Sequence, residues 1–109
     1  MGKMSRDKGK NGEREIAHIL QEHGYDAHRG QQYCGANGDA DVVGLPGVHI
    51  EVKRTESLSL YSALEQSKND ARDNEIPVVF HRKNHQKWVA IMELENFLNM
   101  YEEARNDNN

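Results

Sequence analysis

A run that carries charge on one side and hydrocarbon on the other constrains this chain more than any other feature. Val48 to Arg54 reads as a strand, and within it stands Ile50-Glu51-Val52-Lys53. Successive strand residues point to opposite faces. Ile50 and Val52 therefore go into a core, and Glu51 and Lys53 lie side by side on the other face. A carboxylate and an ammonium on an interior strand cost free energy unless they are paired or used. An ordinary surface ion pair satisfies them equally well, so the segment has to be read with its neighbours.

The neighbour that matters is Asp41, which opens an apolar strand expected over Asp41 to Leu45. Pro46-Gly47 is a turn signal, so the two strands are expected to pair. A plain two-residue turn aligns Leu45 with Val48 and hence Asp41 with Val52, which puts Asp41 and Glu51 on opposite faces. One extra residue, such as a bulge at Gly47, aligns Asp41 with Glu51 instead, and glycine makes such a bulge cheap. Two carboxylates brought that close repel, and a hard divalent cation resolves the repulsion. Asp39 is the rival acid, but it sits in a glycine-bearing loop, Gly30 to Gly38 and just beyond, where aspartate is expected on turn grounds alone.

The rest of the chain supplies an alternation of helix and strand signals. A first helix is expected from about Asn11 to His23, with Ile16, Ala17, Ile19 and Leu20 on one side and Gly24 as its stop. Tyr25 to Arg29 reads as a short strand, Tyr61 to Asp73 as a helix, and Pro77 to Arg82 and Trp88 to Met92 as strands. Leu94, Phe97, Leu98 and Tyr101 mark a last amphipathic helix. Residues 1–10 and 104–109 are polar and expected to be flexible. Helix, three strands, helix, two strands, helix is an α/β order best met by one sheet with helices on both faces. At 109 residues the chain is expected to be one domain.

Composition narrows the setting. No apolar run approaches the ~20 residues of a membrane span. The first dozen residues are polar and basic, unlike a secretory signal. One cysteine, Cys34, cannot form an internal disulfide, so a reducing cytoplasm is expected. Net charge is −4, but Lys3, Arg6, Lys8, Lys10 and Arg14 cluster at the start. A local basic face binds phosphates whatever the total, because the Debye length is about 8 Å at physiological salt. The six histidines lack metal-ligand spacing, which disfavours zinc. Nothing around Cys34 suggests a low-pKa nucleophile.

A third acid comes from the first helix. Glu13 precedes Ile16, Ala17 and Leu20 by three, four and seven residues and so shares their inward face. Standing alone, it would be read as a carboxylate favoured by the positive end of the helix dipole.

Gly12-Glu13-Arg14-Glu15-Ile16, then Arg29, then Asp41-Val42-Val43, then Glu51-Val52-Lys53 resemble the PD-(D/E)XK nuclease superfamily. More narrowly, they resemble the archaeal-type Holliday junction resolvases and their bacterial and phage relatives, over about Lys8 to Leu98. Ala40 stands where the superfamily name has proline. The resemblance implies a restriction-endonuclease-like αβββαβ core and a metal-dependent endonuclease acting on branched DNA. It implies that Glu13, Asp41 and Glu51 hold Mg²⁺, with Mn²⁺ as a substitute. Lys53 would orient the attacking water or stabilise the charge of the transition state, and Arg14 and Arg29 would contact phosphates near the scissile bond. Lys10, Tyr33, Gln66 and Lys68 are further candidates for DNA contact. A solvated loop position explains Tyr33 better than DNA contact does, and a solvated helix surface explains Gln66 and Lys68 equally well.

A resolvase cuts two symmetric strands, so a homodimer is expected. Trp88, Met92, Leu94, Phe97, Leu98 and Tyr101 supply apolar surface for it, unless they cover one face of the sheet.

Overall fold

The computed structural model describes residues 3–31 and 40–107. Tyr33, Cys34 and Asp39 lie outside the described residues. The elements follow the expected order: α1 (Lys3–Glu22), β1 (His28–Arg29), β2 (Val42–Val43), β3 (Val48–Arg54), α2 (Leu60–Asp70), β4 (Ile76–Arg82), β5 (Val89–Ile91) and α3 (Leu94–Asp107). The strands form one mixed sheet in the order β1-β2-β3-β4-β5. Among the described residues only the β3–β4 pair is parallel, joined through α2, and the other three pairs are antiparallel. This is the α/β architecture that the order of signals implies.

Two hydrophobic layers sandwich the sheet. Ile50 and Val52 of β3, Val42 of β2 and Val78 of β4 pack with Ile16 and Ala17 of α1. Val79, next to Val78 on β4, packs on the other side with Ala63 and Leu64 of α2. Adjacent strand residues face opposite ways, so α1 and α2 cover opposite faces. Gly12 lets α1 come close: a Cβ there would stand 2.8 Å from the Arg54 Cβ.

Helix α1 begins at Lys3, well before the expected Asn11. Within this extension Lys8 Nζ meets Glu56 Oε2 at 3.3 Å. Residues 3–10, expected to be flexible, are thus helical. The helix stops as expected. Gly24 takes a φ of +96°, and Tyr25 N–H donates to Leu20 O at 3.1 Å while Gly24 N–H donates to Gln21 O at 2.9 Å, the paired bonds of a glycine C-terminal cap.

At the C-terminal end the two expected alternatives divide between residues. Trp88 and Met92 pack against the α1-side core, but α3 has no buried residue. Leu94, Phe97, Leu98, Met100 and Tyr101 are all exposed. The amphipathic stripe forms the expected helix, continuing to Asp107 through residues expected to be frayed, and it does not cover the sheet.

Candidate active site

The register of β2 against β3 decides whether a site exists. Val42 pairs with Ile50, which aligns Asp41 with Glu51, the arrangement that needs one extra residue. Glycine supplies it, but at Gly44 instead of Gly47. The turn itself is regular: Val48 N–H donates to Leu45 O at 3.3 Å, with Pro46 and then Gly47 at φ +79°, as in a type II turn. The one-residue offset therefore falls between Val43 and Leu45. Gly44, at φ +109°, absorbs it. A Cβ at Gly44 would stand 2.2 Å from Asp26 O and 2.6 Å from Ala27 Cα, so this position excludes a side chain twice over.

Asp41 stands at a bend just before β2 and not within a strand. Its N–H donates to Ile50 O at 2.9 Å, and its Oδ2 accepts from Val52 N–H at 2.8 Å. Asp41 thus bonds to both neighbours of Glu51 and hydrogen-bonds to the Glu51 side chain itself. Both are nearly enclosed, at 9% and 4% exposure. Burial, then the Glu51 charge, pushes the Asp41 carboxyl up from 3.8 to about 7, and Glu13 adds a smaller push in the same direction. The Val52 N–H works against these effects by stabilising the carboxylate. Two such acids can both ionise in this space only with added positive charge. That is the donor set a hard divalent cation prefers.

Glu13 is half-buried on α1, and its Oε1 accepts from Arg29 Nε at 2.9 Å. Lys53 follows Glu51 on the α2 side, with Nζ donating to Gln66 Oε1 at 3.1 Å. Arg14 is exposed and bonds Asn11 Oδ1 at 3.2 Å. Arg14 and Arg29, with His18 and His28, line a shallow cavity of about 630 Å³. Lys10 is exposed on the same helix. Lys68 is engaged elsewhere. Its Nζ meets Glu93 at 3.1 Å and Glu65 at 3.7 Å, and its pKa is raised, chiefly by the Glu93 bond. Glu15, toward the side of α1, accepts from Trp88 Nε1 at 2.6 Å and pairs with Arg82, locking α1 to the β4–β5 hairpin.

The expected residues thus fall into tiers. Asp41 and Glu51 touch. Glu13 stands within electrostatic reach of Asp41, and Lys53 shares the face of Glu51. Gln66 reaches the site by holding Lys53, while Lys68 is drawn toward the β5–α3 junction.

Sequence reasoning missed His49. It is 3% exposed, with Nε2 at 3.2 Å from Glu51 Oε1 and Nδ1 at 3.6 Å from Glu75 Oε1. The Glu51 bond is the main cause of its raised pKa, against burial. Strand parity was the available signal, since His49 shares a face with Glu51.

Residues 4–109 match the family described as "Phage putative PDDEXK endonuclease". Among solved structures, the chain is similar to Hjc, a Holliday junction resolvase from the archaeal hyperthermophile Archaeoglobus fulgidus. The two are 25% identical with a TM-score of 0.59, over 78% of this chain and 72% of that one. No curated protein matches the chain. A buried acidic pair on a mixed sheet, a lysine two residues on and a family match over nearly the whole length converge: the chain belongs to the phage PDDEXK endonuclease family and shares the fold of the Holliday junction resolvase Hjc.

Proposed function

We propose that this protein is a Mg²⁺-dependent endodeoxyribonuclease that cuts branched DNA as a homodimer in the cytoplasm of a bacterial or phage-infected cell. The observation that carries the chemistry is the contact between the buried carboxylates of Asp41 and Glu51. Asp41, Glu51 and Glu13 would hold the cation. A bound Mg²⁺ would supply Lewis acidity at the phosphate and a more acidic water, with Mn²⁺ as a substitute.

The remaining work falls to side chains. Lys53, steadied by Gln66, carries fixed positive charge beside Glu51, where it orients the attacking water or offsets the negative charge that grows in the transition state. The Glu13 carboxylate holds the Arg29 guanidinium, so the two keep each other in place at the edge of the site. Arg29, Arg14 and Lys10 then present cations to phosphates on that side. Tyr33, Gln66 and Lys68 are weaker candidates for DNA contact. Likeness to a Holliday junction resolvase supports the branched substrate.

The homodimer reading draws on α3, which exposes Leu94, Phe97, Leu98 and Tyr101. A second copy could bury that stripe and bring two active sites to a two-fold junction.

The test is cleavage of a four-way junction against linear duplex, with and without Mg²⁺. Junction cleavage that needs Mg²⁺ or Mn²⁺, stops in EDTA and is not supported by Ca²⁺ is the expected result. Glu51→Gln should abolish it while sparing DNA binding. Cleavage that persists in EDTA would overturn the metal reading, and equal cleavage of linear duplex would overturn the branched-substrate reading.

A further inference from the structure

The Glu51 carboxylate is held from behind. His49 lies two residues earlier on β3 and shares its face. The imidazole stands between two acids, with Nε2 at 3.2 Å from Glu51 Oε1 and Nδ1 at 3.6 Å from Glu75 Oε1. The backbone beneath the ring is pinned as well. Ser67 of α2, fully buried, donates from Oγ toward His49 O at 3.3 Å and Val78 O at 3.1 Å. A plain interior strand position would carry an apolar side chain here, yet the chain buries an imidazole and aims it at the acid that touches Asp41.

We propose that His49 is a positioning residue that holds Glu51 in the orientation needed to ligate the metal. Glu51 meets Asp41 on one side, and two carboxylates in contact repel once both ionise. A glutamate free to turn would swing away from Asp41. The His49 Nε2–H donated to Oε1 opposes that turn, and the Glu75 carboxylate stands against the ring's other nitrogen at 3.6 Å. Such partners of metal-ligating groups tune affinity through geometry. Asp70 offers a further donor atom near His49 and Glu51, all three within 4.8 Å of one another. A second cation held by this trio is therefore the competing arrangement, and it needs a bare imidazole nitrogen where the positioning role needs an N–H.

This inference rests on Glu51 being a metal ligand. The test compares full-length His49→Leu, which has no donor, with His49→Gln, whose amide N–H reaches about as far as Nε2–H. Mn²⁺ binding is measured by calorimetry on the DNA-free protein, and the Mg²⁺ requirement by cleavage of a four-way junction. The expected result is one Mn²⁺ per chain. His49→Leu should weaken its binding by about 10- to 100-fold, and His49→Gln should restore it to within about threefold of the parent. DNA affinity should not change. Should His49→Leu fail to fold, Glu75→Gln at the half-buried end of the relay is expected to weaken Mn²⁺ binding in the same direction by a few-fold. Parental Mn²⁺ affinity in His49→Leu, or in Glu75→Gln where that variant stands in, would overturn the proposal. So would His49→Gln as weak as His49→Leu, or a second Mn²⁺ per chain that His49→Gln loses. Glu51→Gln separates the two readings: if it binds Mn²⁺ normally, the metal reading itself fails; if it loses Mn²⁺ while His49→Leu does not, only the role of His49 fails.

Discussion

Two regions of this molecule invert the usual partition of polar and apolar groups in opposite senses. Between β2 and β3, Asp41, His49 and Glu51 are buried at 9%, 3% and 4% exposure. On α3, Leu94, Phe97 and Tyr101 stand at 70%, 51% and 53%, with the Phe97 and Tyr101 rings stacked on each other at 6.3 Å. Burying charge is unfavourable and exposing a run of hydrocarbon forgoes a stabilising term, so neither region is explained by the stability of the single chain. The buried acids can be explained by binding a cation and a phosphodiester. The exposed stripe can be explained by binding apolar surface. The buried acids and the exposed stripe are thus separated in space, one inside the sheet sandwich and one on a helix with no buried residue.

That separation predicts that the two regions fail independently. The largest effect belongs to Asp41→Asn, which should lower cleavage on the order of a thousandfold. The same change should stabilise the metal-free protein above pH 7 by about 1 kcal/mol, because the amide can still accept from Val52 N–H and can donate to Glu51. In the parent protein, Asp41 titrates near 7 when folded against 3.8 as its ordinary value. The folded state therefore holds a proton that the unfolded state has lost. This contribution to stability is fully present below about pH 4 and is lost as pH rises through about 7. Thermal melts of metal-free protein should show that decline, and Asp41→Asn or saturating Mg²⁺ should flatten it. If Asp41→Asn melts lower than the parent at pH 8, the buried acids do not strain the fold.

Gly44→Ala comes next. Its Cβ would collide with the backbone of Asp26 and Ala27 at a left-handed φ, so it should cost about 2–3 kcal/mol. Gly47→Ala meets nothing within 4 Å and should cost only about 1 kcal/mol, from φ alone. Urea midpoints measure both. Equal losses at the two sites would mean that the offset aligning Asp41 with Glu51 does not depend on Gly44.

Smaller still in stability is the double change Phe97→Glu with Leu98→Glu. It should turn a dimer into a monomer by light scattering at micromolar concentration, while monomer stability moves by no more than about 0.5 kcal/mol, as for other surface sites. A monomeric parent, with and without DNA, would instead favour a nuclease that nicks one strand. The smallest effects are expected at the DNA-facing cations. Arg14→Ala, Arg29→Ala and Lys10→Ala should each lower the slope of log affinity against log salt by about one phosphate contact. Unchanged slopes in all three would move the DNA to another face.

Much of the site is legible in the sequence because strand and helix periods carry direction. Alternation along 50–53 is enough to send Ile50 and Val52 to one face and Glu51 and Lys53 to the other; tertiary packing makes these the α1-side core and the face that α2 covers. The ion pairs of Lys68 are not legible, because a polar helix surface looks alike all round. Its partner Glu93 lies 25 residues away along the chain. His49 escapes notice because parity read forward from Glu51 reaches Lys53, and only parity read backward reaches the imidazole. The start of α1 is expected too late because its basic first turns lack an apolar stripe. Lys8 in that extension meets Glu56, a contact 48 residues apart in sequence.

The sequence by itself determined the order of elements, the two faces of β3 and which acids are candidates for a site, because these depend on local periodicity and residue chemistry. Only the tertiary structure decided that Asp41 meets Glu51. That outcome turns on a single residue of register, and local sequence permits either alignment. The offset falls at Gly44, where the chain passes the backbone of Asp26 and Ala27 too closely for any side chain. Tertiary structure also decided that α3 keeps its apolar stripe exposed. Periodicity specifies that a helix has an apolar face but not which surface meets it, and here the two faces of the sheet are already taken by α1 and α2.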